Sequence, residues 1–131
     1  MKRRLIIAGK RDADRAEAAR LLRAGFTKLG IRDEDIEAIA TGESGVVDLL
    51  CKAYAKAKGI PYEPFPANWN VIGPAAGPLR NAAMAAWASE TPDSWLVAVW
   101  DGRSRGTGNM IDNARKRGLI VEVQYLAGGV L

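Results

Sequence analysis

Three stretches of this chain place cations and hydrogen-bond donors where an anion could be held. The first runs from Gly73 to Met84 (Gly-Pro-Ala-Ala-Gly-Pro-Leu-Arg-Asn-Ala-Ala-Met), a Pro/Gly-rich loop leading into a helix of small residues. Pro78 suits a first helical turn, where its missing N–H removes no hydrogen bond. Arg80 and Asn81 follow in the early turns, and a guanidinium fork beside an amide can point several N–H donors at one anion or base. The second stretch is Thr41-Gly42-Glu43-Ser44-Gly45, at a strand-to-helix junction. Free helix amides, the positive end of the helix dipole and glycines that allow close backbone approach suit it to phosphate. A tight turn with Ser44 as the N-cap explains it equally well, and Glu43 opposes a phosphate unless its carboxylate points away. The third is Asp101-Gly102-Arg103-Ser104-Arg105-Gly106-Thr107. Two arginines and two hydroxyls in a glycine-framed loop entering a helix exceed what capping requires.

Other residues carry weaker signals. Gly9 and Arg11 sit in the turn after the first strand. Trp69 and Trp100 could offer flat faces to a base, although aromatic residues usually serve packing. Asp48 breaks the apolar pattern of its helix, so it could hold Arg80, bond a sugar hydroxyl or reach solvent. Cys51 lies on the inner face of the same helix and reads as a small buried hydrophobe. Trp87 and Trp95 read as core or interface residues.

The elements that must position these residues alternate along the chain. Arg4–Gly9 is a short, β-branched apolar run, the pattern of a buried central strand. Asp14 can cap a helix over Arg15–Leu29, stopped by Gly30. Asp35–Ala40 is a weaker strand, and Gly45–Lys58 a clear helix closed by Gly59. Ile60–Phe65 is a proline-interrupted strand, plausible only near a sheet edge. Residues 66–78 read as a long loop, unusual in a compact domain unless it has a role. Leu79–Ser89 is a helix and Ser94–Trp100 the strongest strand signal. Thr107–Arg117 is a helix stopped by Gly118, Leu119–Tyr125 a last strand, and the tail from Ala127 to Leu131 reads as frayed. This alternation predicts an α/β fold: one Rossmann-like domain over residues 1–131, with an open five-stranded, mostly parallel sheet and helices on both faces. In such a sheet ligands bind beyond the carboxyl ends of the strands. The turns 9–14, 41–45 and 101–107 and the loop 66–80 all fall on that edge.

Composition narrows the function classes. The chain has 131 residues, enough to bury roughly two-thirds of its unfolded surface. The formal net charge of +4 permits an anionic ligand, but the basic residues are scattered and form no stripe for nucleic acid. One cysteine and no histidine exclude an internal disulfide and a Cys/His zinc centre, so neither a metal nor a cofactor is expected. The start, Met1-Lys2-Arg3-Arg4 followed by four apolar residues, is too short for a secretory signal, and no apolar run approaches a membrane span. A cytoplasmic location is expected.

Four motifs in order, Thr41-Gly42-x-Ser44-Gly45-Val46-x-Asp48, Phe65-Pro66-Ala67-x-Trp69, Ala76-Gly77-Pro78-x-Arg80-Asn81-x-x-Met84 and Trp100-Asp101-Gly102-x-Ser104-x-Gly106-Thr107, resemble the YspA-like branch of the SLOG superfamily. That superfamily groups DNA-processing proteins with the lysine-decarboxylase-like phosphoribohydrolases. The resemblance covers nearly the whole chain. It implies a Rossmann-like sheet, a nucleotide or nucleotide-derived ligand at the strand ends, often a homodimer, and a role as ligand sensor or processor in bacteria or phage. Arg80 matches the superfamily arginine by its spacing to Met84 and is the candidate catalytic residue. The phosphoribohydrolases carry Gly-Thr-x-x-Glu in the last loop. Here Gly106-Thr107 is followed by Gly108, Asn109 and Met110, so the glutamate that works with the arginine is missing. Asp48, Asp101 and Asp112 are the nearby carboxylates, and spacing singles out none of them.

The expectation is therefore a pocket for a nucleotide-like small molecule. Ser104, Gly106 and Thr107 would hold phosphate, Arg80 would neutralise it, and Asn81, Asp48 and Trp100 would contact ribose or base. Gly9, Arg11, Thr41, Gly42, Ser44, Gly45, Trp69, Asp101 and Gly102 complete the candidate wall. Two alternatives remain: a nucleoside 5′-monophosphate phosphoribohydrolase, and an interaction module whose Trp87 and Trp95 recruit a partner.

Overall fold

The strongest strand signal, Ser94–Trp100, becomes an interior strand of the sheet because its side chains are apolar on both faces. A computed structural model of the chain describes residues 1–127; the tail predicted to be frayed lies, beyond Ala127, outside the described residues. Strands β1 (Arg3–Gly9), β2 (Ile36–Thr41), β3 (Tyr62–Pro64), β4 (Trp95–Trp100) and β5 (Ile120–Tyr125) form one sheet in the order β3-β2-β1-β4-β5. Every neighbouring pair is parallel. This is an α/β, Rossmann-like architecture.

Successive strand residues point to opposite faces, so β1 and β4 split their apolar residues between two cores. Leu5, Ile7, Trp95, Val97 and Val99 pack against α1 (Arg15–Leu29) and α2 (Val46–Lys58) through Leu21, Leu22, Val47 and Cys51. Ile6, Ala8, Leu96 and Ala98 pack against α4 (Ala76–Ala88) and α5 (Arg105–Lys116) through Met84, Ala85, Met110 and Ile111. Burying one Leu or Ile side chain contributes about 1.5–3 kcal/mol. Strands apolar on both faces therefore have no stable exposed register, and helices must cover both sides.

The predicted punctuation forms. Asp14 caps α1 by accepting the Glu17 N–H at 2.9 Å. Gly30, at φ 65, ends the helix in the left-handed region, and the Ile31 N–H returns to the Phe26 carbonyl at 2.9 Å. The short β3 lies at the sheet edge, where Pro64 interrupts no ladder on the solvent side.

Three expectations need correction. Residues 66–78 are not a long loop: α3 (Trp69–Ile72) is a single helical turn, followed by a 3₁₀ turn over Gly73–Ala75 that runs into α4 at Ala76. Pro78 falls on the third residue of α4, inside the first turn, where backbone N–H groups have no helical acceptor. Likewise α5 begins at Arg105 rather than Thr107, so Gly106 and Thr107 belong to its first turn. Trp95 is 1% exposed, so it presents no recruiting surface. Among the described residues no helix is long and apolar enough to cross a membrane.

Candidate functional site

The strand order reverses direction between β1 and β4, and a cavity of about 1040 Å³ opens beyond the carboxyl ends of these strands. The turns after β1 and β4 form two of its sides, and the starts of α2, α4 and α5 form the rest. This is where an open parallel sheet leaves a crevice, because the flanking connections leave in opposite directions. Its size suits an organic ligand.

The β1 turn contributes Gly9 and Arg11, and the turn before α2 contributes Gly42, Ser44 and Asp48. Trp69 stands on α3, with Arg80 and Asn81 on α4. The β4 end and α5 supply Trp100, Ser104, Gly106 and Thr107. Four other candidates lie off the wall. Thr41 is fully buried, with its hydroxyl bonded to that of Tyr62 at 2.6 Å and accepting the Glu43 N–H. Gly45 meets the Arg11 backbone so closely that a Cβ would lie 2.4 Å from the Arg11 carbonyl oxygen. Asp101 Oδ1 accepts the backbone N–H groups of Arg103 and Ser104 and the Ser104 hydroxyl. It holds the turn closed, with Gly102 at φ 79 inside it. Burial pushes the Asp101 carboxyl up, but these hydrogen bonds outweigh it and leave the group below its ordinary value.

The two helix starts that resembled phosphate sites differ sharply. At α2 the Ser44 N–H and hydroxyl donate to Asp48 Oδ2 at 3.0 and 3.2 Å, and the Val46 N–H donates to the Arg11 carbonyl at 3.0 Å. Three of its donors are engaged and a carboxylate stands among them, while the Val47 and Asp48 N–H groups make no hydrogen bond among the described residues. Ser44 is not the N-cap; Gly45 occupies that position. Glu43 does point away: its carboxylate accepts from Lys52 Nζ at 2.6 Å and from the Tyr62 hydroxyl at 3.2 Å.

At α5 the amides of Arg105, Gly106 and Thr107 make no hydrogen bond among the described residues, and Gly108 is the first to donate back, to Ser104. Helix-start amides with no acceptor are the arrangement that binds anions. Thr107, 6% exposed, adds a hydroxyl without a partner.

Arg80 is tied to that start through one residue. Its Nε donates to Asn81 Oδ1 at 2.7 Å, and Asn81 Nδ2 donates to the Gly106 carbonyl at 3.2 Å and to Asn109 Oδ1 at 3.0 Å. Arg80 Nη1 donates to the carbonyls of Gly42 and Phe65 at 2.9 and 3.2 Å. No carboxylate pairs with it among the described residues. Burial disfavours its charge and the neighbouring Arg11 adds repulsion, only partly offset by Asp48, so its pKa is lowered. A half-buried cation that lacks an ion-pair partner among the described residues and is linked through Asn81 to a helix start is chemically suited to an anion.

The tryptophans play packing roles as well. Trp69 lies across Gly77, where a Cβ would come within 2.7 Å of its ring. Trp100 donates its N–H to the Ser104 carbonyl at 2.9 Å and packs beside Gly108 and Tyr125.

Lys10, Arg103, Arg105 and Arg115 also line the cavity, joining Arg11 and Arg80 against Asp12, Asp48 and Asp112. The wall is net cationic. Asn109 and Arg115 escaped sequence reasoning, although their spacing along α5 from Arg105 sets Asn109 and Asp112 on one helical face. Cavity-lining side chains come from α2, α4 and α5 at once, which no local pattern reports. The chain matches no family model, and comparison with curated proteins and with solved structures finds no match either.

Proposed function

We propose that this protein is a SLOG-type domain that binds a nucleotide or nucleotide-derived anion in the cavity beyond β1 and β4. The carrying observation is the pairing of the unengaged first turn of α5 with the Arg80 guanidinium, bridged by Asn81. The phosphate rests on the amides of Arg105, Gly106 and Thr107, with Arg80 supplying the opposite charge. Asn81 holds the two parts in register. The cavity volume of about 1040 Å³, with Trp69 in its wall, leaves room for a sugar and base. The resemblance of the four motifs to the YspA-like branch supports the same reading.

Thermal unfolding against nucleoside mono-, di- and triphosphates, cyclic nucleotides, NAD and ADP-ribose tests it, with Arg80→Ala alongside. A ligand at a hundred times its Kd adds about 2.7 kcal/mol of stability. A rise in midpoint with one ligand class, lost in Arg80→Ala, is the expected result; no rise with any ligand overturns the reading. Assay of the same mixtures for free base decides whether the cavity also cleaves the N-ribosidic bond.

A further inference from the structure

Asp48 Oδ1 is the one buried side-chain polar atom among the described residues that has no hydrogen-bond partner. Its sister oxygen is fully used by Ser44. The residue is 5% exposed, lies in the wall of the cavity that holds Arg80 and the α5 start, and has no cation bonded to it. Leaving a carboxylate oxygen unpaired away from water is costly. Burial accordingly disfavours its charged form, against the Ser44 hydrogen bonds, the Arg80 charge and the Gly42 backbone N–H that favour it.

We infer that Asp48 Oδ1 accepts a hydrogen bond from a sugar hydroxyl of the bound ligand, so that the site selects ribonucleotides over their deoxy counterparts. This rests on the nucleotide reading above and specifies its sugar. An anion alone satisfies Arg80 and the α5 amides but is repelled by Asp48. A ligand must therefore present phosphate at one end and a donor at the other, and a ribose 5′-phosphate does both. The oxygen is screened from bulk water, which strengthens the bond a donor makes and sharpens the penalty for one that is absent.

Isothermal titration of each of the four nucleoside 5′-monophosphates against its 2′,3′-dideoxy counterpart tests the inference, in the wild type and in Asp48→Asn. A hydrogen bond to a charged group corresponds to roughly ten-fold or more in Kd. The expected result is at least that preference for the ribonucleotide in the wild type. In Asp48→Asn, whose amide oxygen is held by Ser44 and whose NH₂ faces the ligand, the preference collapses while the dideoxy compound binds as before or better. Equal binding of the two forms by the wild type overturns the sugar assignment and leaves the nucleotide reading standing. Binding of neither form overturns the sugar assignment, and the absence of a midpoint rise across the wider nucleotide panel overturns the nucleotide reading as well. Should Asp48→Asn not fold, the ratio of the two affinities in the wild type decides the sugar assignment by itself.

Discussion

Gly42 and Arg80 are in contact across the cavity wall: the Gly42 carbonyl accepts from Arg80 Nη1 at 2.9 Å, and a Cβ built on Gly42 would lie 2.0 Å from that same nitrogen. The glycine is thus a steric seat for the guanidinium. Because the clashing atom ends a flexible side chain, Gly42→Ala moves Arg80 rather than the backbone. The expected outcome is a near-wild-type Tm, with less than about 1 kcal/mol lost, together with at least a several-fold weaker response to the ligand found in the nucleotide panel. Parallel melting and titration separate the two effects, and a large Tm loss with intact affinity would contradict a seating role.

Arg80 itself offers a graded test. Lysine keeps the charge but cannot reach Gly42, Phe65 and Asn81 with one planar fork. Arg80→Ala should raise Kd by roughly 10- to 150-fold, the worth of one charged hydrogen-bonding group, and Arg80→Lys should fall between it and the wild type. Titration with the same nucleotide ranks the three proteins; equal affinity in all three would remove Arg80 from the site.

Asn81 carries a structural load as well as a positional one. It is 3% exposed and joins α4 to α5 through Gly106 and Asn109. Asn81→Ala takes the acceptor from the half-buried Arg80 Nε and cuts both links to α5, at a cost of about 1–3 kcal/mol, although Asn109 Oδ1 keeps its bond from Asn113 Nδ2. Urea unfolding should show that loss, with an unchanged m-value.

Lys52 holds Glu43 out of the cavity, and its hydrogen bond and charge, helped by Tyr62, keep the Glu43 carboxyl below its ordinary value despite burial. A depressed carboxyl contributes stability above the unfolded-state pKa and loses it as pH falls through the folded-state value. Lys52 is a third exposed, so solvent screening limits the pair to about 1 kcal/mol or less. Lys52→Met should therefore be less stable than the wild type near neutrality, with the gap closing in acid below the Glu43 titration. Denaturant midpoints across that range give the curve, and a gap independent of pH would show that packing rather than charge is responsible.

Cys51 is 3% exposed in the α2 core face, where burial and the nearby Asp48 charge push its thiol well up. The thiolate is the reactive form. An aromatic disulfide reagent should label it only as fast as the protein opens, and fully in denaturant; rapid labelling of the native protein would place the thiol at the surface.

Much of this was legible in the chain itself. The runs Leu5–Ala8 and Leu96–Val99, apolar on both faces, required a doubly covered parallel sheet, and the alternation of strands and helices set the order of its elements. Asp14, Gly30 and Gly59 marked helix boundaries because capping is local chemistry. The place of Arg80 on the strand-end edge was legible too, since a loop entering a helix is a local pattern, and the residue lines the cavity there. Only the tertiary structure distinguished the two helix starts: at α2 the Ser44 and Val46 donors go to Asp48 and to Arg11, the latter from the far side of α1 in sequence, and a buried carboxylate stands there, whereas at α5 the first-turn amides meet no acceptor among the described residues. It alone showed Thr41 buried against Tyr62 and Asp101 folded into its own turn. It also isolated Asp48 from the other two carboxylates, for Asp101 is bonded three times and Asp112 is exposed. Whether a polar atom has a partner depends on every segment packed around it, and that is a property of the folded chain rather than of any stretch of its sequence.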